Sequence, residues 1–221
     1  MLITLPNILT LLRLLAAPCV AFAFLFLGRP FADWVALILF CGAAFTDFLD
    51  GLLARAWKQE TKLGAMLDPI ADKMMVLVAL TVLTALYGLS PGLLIPAVII
   101  IFREVFVSGL REFLGDTAGT LKVTKLAKWK TTVQLVAIAV LLSQGIFEHQ
   151  IYNRSFGMDA ALFDAILAGT TEDTVGLTTM AAARDLAVKG GIAMLWIAAV
   201  LTAITGADYL IKALPHLRGA K

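Results

Sequence analysis

The chain has 221 residues, 60% of them hydrophobic and only 15% charged, with a formal net charge of +2. Soluble domains carry about a quarter charged residues. A mean hydropathy of +0.90 over the full length therefore excludes a disordered chain, a nucleic-acid-binding tail and an ordinary cytosolic enzyme. The composition reads as an all-α integral membrane bundle of six transmembrane helices with an N-terminal amphipathic helix, in a single membrane-embedded domain over residues 1–221.

In chain order, residues 1–12 form the amphipathic opening segment, and 14–28 the core of the first span. No basic side chain precedes Arg13, so the pattern fits a cleaved secretory signal poorly. Further apolar cores lie at 34–46, 74–90, 91–102, 131–147 and 190–207. Each can be extended by its flanks to the about 20 residues that a spanning helix needs. Gly28-Arg29-Pro30 and Gly88-Leu89-Ser90-Pro91-Gly92 mark tight turns. Pro69 fits the first turn of the third helix. Segment 148–186 is acidic and poor in long apolar runs, with a short surface helix expected around Met158–Leu167. Asp208 and Lys212 stand at the i,i+4 spacing of a helical ion pair. Cys19 and Cys41 fall inside apolar runs and read as small core or lipid-facing residues.

If the spans alternate sides, eleven Lys and Arg fall on the side of the N-terminus and four on the other. That bias places the first side in the cytoplasm. Segment 148–186 is then an extracytoplasmic insertion. The expected location is a bacterial inner (plasma) membrane, with the active site facing the cytoplasm.

Charges in or beside spans are costly and point to function. The second span ends in Thr46-Asp47-Phe48-Leu49-Asp50-Gly51-Leu52-Leu53-Ala54-Arg55, and the third begins Gly64-Ala65-Met66-Leu67-Asp68-Pro69-Ile70-Ala71-Asp72-Lys73. Asp47 and Asp50 share one helix face, as do Asp68 and Asp72. The short connection between the helices lets all four carboxylates converge. Four like charges need neutralising, and an all-oxygen donor set favours Mg²⁺ or Mn²⁺, with Ca²⁺ able to compete. Two divalent cations would balance the site and suit displacement at phosphorus. Gly51 would allow a nucleotide close to the helix backbone, and Arg55 is spaced to hold a phosphate or a sugar hydroxyl.

The run Asp47-x2-Asp50-Gly51-x2-Ala54-Arg55-x8-Gly64-x3-Asp68-x3-Asp72 resembles, without a gap or substitution, the signature of the CDP-alcohol phosphatidyltransferases. The resemblance implies that an alcohol hydroxyl attacks the β-phosphorus of a CDP-linked lipid and CMP leaves. It further implies that Asp47 and Asp68 bridge two metals, that Asp50 binds one and Asp72 the other, and that Asp72 is the general base. Gly51, Ala54 and Arg55 would line the CDP site, with Thr61 on a phosphate. Pro6-Asn7-Ile8-Leu9-Thr10-x2-Arg13 resembles the family's opening helix, where Asn7 and Thr10 would touch the cytidine or its phosphates. A homodimer is expected on the same ground.

The acceptor is addressed by a second cluster. Arg103-Glu104-Val105-x2-Ser108-Gly109-x-Arg111-Glu112 ends the fourth span, and Lys125-Leu126-Ala127-Lys128-Trp129-Lys130-Thr131-x2-Gln134 opens the fifth. Arg103, Arg111, Lys128 and Lys130 are the candidate ligands of an acceptor phosphate. The pattern resembles the branch of the family that uses sn-glycerol 3-phosphate with CDP-diacylglycerol, although Ala127 stands where that branch commonly carries glycine. Three rivals remain at this stage. They are the same transfer to another alcohol such as inositol phosphate, a membrane prenyltransferase with its two Asp motifs closer than usual, and a divalent-cation transporter.

Overall fold

The computed structural model describes residues 4–57, 61–115 and 125–218, with the side chains at 50–57, 125–128 and 218 outside the description. Eight helices follow one another among the described residues: α1 (Leu5–Phe26), α2 (Phe31–Trp57), α3 (Lys62–Leu86), α4 (Pro91–Leu114), α5 (Lys125–Leu142), α6 (Gln144–Ser155), α7 (Ala160–Leu167) and α8 (Leu177–Arg218). Six segments are long and apolar enough to cross a bilayer. They are Leu5–Phe26, Phe31–Leu49, Lys62–Leu86, Pro91–Leu114, Trp129–Ser155 and Leu177–Leu217. The chain is a multi-pass membrane protein, and its outward faces match that solvent. Leu25, Phe26, Phe113 and Leu186 all stand exposed, as lipid-facing side chains do.

By contacts the chain divides into two compact units, Met1–Ala79 with Ala139–Gly191, and Leu80–Ile138 with Ile192–Lys221. In the first, α1 packs along α2. The buried stripe of α1 runs Pro6, Asn7, Thr10, Arg13, Ala17, Val20, Ala23, the three-and-four spacing of one helix face. Its C-terminal part is small and apolar, as are Ala32, Ala36 and Ala43 of α2. Small residues allow the close helix approach that substitutes for a hydrophobic driving force in lipid. Its N-terminal part is polar and belongs to the site below. In the second unit, the buried residues include Leu83, Leu93, Ala97, Ile100, Ile138, Leu195 and Ala198. There the Trp196 indole donates to the Gly92 carbonyl (2.8 Å), and Lys212 pairs with Asp208 (2.6 Å) as the sequence predicts.

Three boundaries differ from the sequence reading. The opening segment and the first span run together as one 22-residue helix, because Thr4 caps it and Pro6 sits in its first turn, where a missing N–H costs nothing. Pro69 lies inside α3 rather than in its first turn. The helix starts earlier because the Thr61 hydroxyl accepts the Gly64 N–H (3.0 Å), the side-chain-to-N3 bond of an N-cap. The last helix begins at Leu177, well before the apolar core at 190, and runs for 42 residues.

Segment 148–186 is correspondingly built. It takes in the end of α6, the short helix α7, which the sequence places within about two residues, and the start of α8. The Arg154 guanidinium donates to the Val175 and Gly176 carbonyls, and Gly176 holds a φ of +70°, a conformation suited to glycine. Asp173 accepts from the backbone N–H groups of Leu177 (2.9 Å) and Thr178 (2.8 Å) and from the Thr178 hydroxyl (2.6 Å). These donors, the Thr178 hydroxyl first, pull the Asp173 pKa down to about 2 from 3.8. A carboxylate depressed on folding stabilises above its unfolded value and loses that effect as pH falls toward its folded value. Protection of the Leu177 and Thr178 amides is therefore expected to decline between about pH 4 and pH 2. Asp173→Ala is expected to abolish that dependence, as read by hydrogen exchange.

The turn before α2 is fixed by a fork of Arg29 on the buried Asp33. Nε donates to Oδ2 (3.0 Å) and Nη2 to Oδ1 (2.8 Å). Gly145 of α6 lies against both groups, and any Cβ there would collide with them.

Candidate active site

The polar end of the α1 stripe meets the C-terminal half of α2 and the first turns of α3. Arg13 is the centre. Its side chain is only 2% exposed, and Nη1 is paired with Oδ1 of both Asp47 and Asp72, while Nη2 stands 3.8 Å from Asp68 Oδ1. The three carboxylates are each about half exposed, at 47%, 46% and 48%. Arg13 thus lies beneath them, and they remain open to an incoming ion or substrate. The Thr10 hydroxyl donates to Asp68 Oδ1 (2.6 Å).

One turn earlier, the Thr61 hydroxyl donates to Asn7 Oδ1 (2.9 Å). This bond and the Thr10–Asp68 bond join α1 to α3. Gly64 makes the approach possible, since a Cβ at that position would stand 2.7 Å from Asn7 Oδ1 and 3.3 Å from Thr61 Oγ1. Gly64→Ala is expected to cost about 1–3 kcal/mol through this overpacking, seen as a lower melting temperature in detergent.

Of the residues predicted from sequence, Asp47, Asp68, Asp72, Asn7, Thr10 and Thr61 are thus gathered on one side of α1. Asp50, Gly51, Ala54 and Arg55 lie on α2, but their side chains fall outside the described residues. Three carboxylates around one guanidinium leave a surplus of negative charge, and the donors are all oxygen, so they fit a hard divalent cation. Among the described residues no three Asp, Glu, His or Cys side chains are grouped to hold an ion as placed.

The basic cluster lies in the second unit. Glu104 organises it, pairing with the nearly buried Lys130 ammonium and standing 3.2 Å from Arg103 Nη1. Arg103 also reaches Thr205 Oγ1 (3.4 Å), and its stem lies close over Gly206, where a Cβ would come within 2.8 Å. Arg111 is exposed and stacks over the Tyr209 ring, 5.2 Å from its centroid. Arg103 and Lys130 are therefore brought together on Glu104, Arg111 stacks on Tyr209 within electrostatic reach of Lys130, and the side chain of Lys128 is outside the described residues.

Two residues of these clusters stand in the sequence motifs without an assigned role. Arg13 closes the opening-helix motif, but the motif alone gives it no role. Its signal is its i+3 spacing from Thr10, which puts it on the same face. Glu104 sits within the basic motif, and its charge opposite two cations is the clue to its role.

A family model described as CDP-alcohol phosphatidyltransferase matches residues 3–204. The chain belongs to that family and is a transferase. It is 55% identical over 218 residues to a CDP-diacylglycerol--glycerol-3-phosphate 3-phosphatidyltransferase of Cereibacter sphaeroides, covering 99% of both chains. Proteins of the same name from Salmonella choleraesuis and Escherichia coli K12 are 41% and 40% identical over 139 residues, covering 62% of this chain and 75% of theirs.

Proposed function

We propose that the protein transfers a phosphatidyl group from CDP-diacylglycerol to sn-glycerol 3-phosphate, giving phosphatidylglycerophosphate and CMP. The observation that carries this reading is the convergence of Asp47, Asp68 and Asp72, within the family signature, on one buried cation. The name of a relative 55% identical over 99% of this chain supports the choice of acceptor.

Asp47, Asp50, Asp68 and Asp72 would hold two divalent cations, Mg²⁺ or Mn²⁺. Such a pair, when bound, supplies charge stabilisation at the phosphoryl group and the leaving oxygen. Asp72 takes the proton from the acceptor hydroxyl as its oxygen attacks the β-phosphorus, and the bond from that phosphorus to the oxygen of CMP breaks. Asn7, Thr10, Gly51, Ala54, Arg55 and Thr61 form the CDP-lipid side of the site. Arg103, Arg111, Lys128 and Lys130 receive the acceptor phosphate. Glu104 offsets one of their charges and leaves the set net cationic, as an anion site requires. The site faces the cytoplasm of a bacterial inner membrane, segment 148–186 lies on the opposite side, and the protein works as a homodimer.

The test is CMP release by the purified protein in detergent, given CDP-diacylglycerol with Mg²⁺ or Mn²⁺. Glycerol 3-phosphate, inositol phosphate, serine or no acceptor is added in separate reactions. Release that depends on glycerol 3-phosphate is the expected result. Release with another alcohol would replace the acceptor and retain the carboxylate site. Metal flux into liposomes without CMP release would favour a transporter.

A further inference from the structure

We propose that Arg13 is a built-in counter-cation that holds Asp47, Asp68 and Asp72 together before metal arrives and competes with the divalent ions for them. The inference rests on the two-metal reading above.

A guanidinium stays charged at any physiological pH. Buried to 2% exposure, it needs carboxylate partners. Arg13 draws these from two other helices, Asp47 on α2 and both Asp68 and Asp72 on α3. A single nitrogen, Nη1, occupies Oδ1 of both Asp47 and Asp72. Mg²⁺ binds carboxylate oxygen at about 2.0–2.1 Å, so an ion on either carboxylate stands close to the guanidinium charge. The two positive charges repel, and that cost is subtracted from the affinity of the site. The Thr10 hydroxyl on Asp68 Oδ1 is a neutral donor and imposes no comparable charge penalty. The arrangement keeps three acidic side chains from repelling one another in an empty site, and it sets a threshold of ion concentration for loading.

The test is Mn²⁺ binding without substrate, followed by the electron paramagnetic resonance of free Mn²⁺. It uses the full-length protein in detergent as wild type, Arg13→Gln and Arg13→Lys. Arg13→Gln is expected to bind Mn²⁺ about tenfold tighter or more, the worth of the charge-assisted hydrogen bonds removed. It is also expected to melt lower than wild type without the ion and to recover with saturating Mn²⁺. Arg13→Lys, with a point charge in place of the fork, is expected to fall between the two and covers the case in which the glutamine variant does not fold. Affinity unchanged or weakened in the folded variants would overturn the proposal. Failure of all three proteins, wild type included, to bind Mn²⁺ would remove the two-metal reading itself and this inference with it.

Discussion

With Asp72 as the proposed base and metal ligand, Asp72→Asn is expected to lower CMP release by about 10²–10⁴-fold or more, the range of a lost general base. The substitution keeps the size of the side chain, so a collapse of the fold is not the expected cause. Asp72 is one of three carboxylates facing Arg13, and the amide removes one negative charge from a set that retains Asp47 and Asp68. A folded Asp72→Asn protein that turns over within a few-fold of wild type would move the proton transfer to another group.

The largest expected effect on stability comes from Glu104→Gln. Glu104 is 12% exposed, Lys130 is 7% exposed, and Arg103, at 16%, draws on the same carboxylate oxygen. Removing the charge of Glu104 leaves two buried cations without their shared anion, and uncompensated buried charge costs about 3–5 kcal/mol. Lys130→Met is milder, because Glu104 then keeps Arg103. The double variant Glu104→Gln, Lys130→Met is expected to recover part of the loss, since contacting residues in one network are not additive. Denaturation in detergent of the four proteins gives the coupling directly. Lys130→Met separates the two roles of this lysine, because as an acceptor ligand it should raise the KM for glycerol 3-phosphate even where folding is intact.

The gathering of the carboxylates is more legible in the sequence than the packing around them. Asp47, Asp68 and Asp72 are readable because helical spacing fixes which residues share a face, whatever lies around them. The six spans are readable because length and hydropathy carry that signal. Helix ends depend on local bonds that hydropathy does not record. Thr61 begins α3 a full turn and more before the first Asp of the pair, which leaves Pro69 in the interior. Asp173 likewise starts α8 through its backbone and hydroxyl contacts, ahead of the apolar run. Arg13 was hidden for a different reason. An isolated arginine near a helix start is compatible with a snorkelling anchor, and only the tertiary arrangement reveals that it points inward at three acids.

The same burial bears on how the protein is made. When α1 leaves the ribosome it carries Arg13, and none of the acids that will neutralise it has yet been synthesised. Asp47 comes with the second span, and Asp68 and Asp72 only with the third. An arginine in a lone helix raises the cost of its insertion, most of all at the helix centre. Asn7 and Thr10 on the same face wait equally for Thr61 and Asp68. The first helix is apolar enough to span a membrane, and Arg13 gains its acidic partners only once the second and third helices have been made.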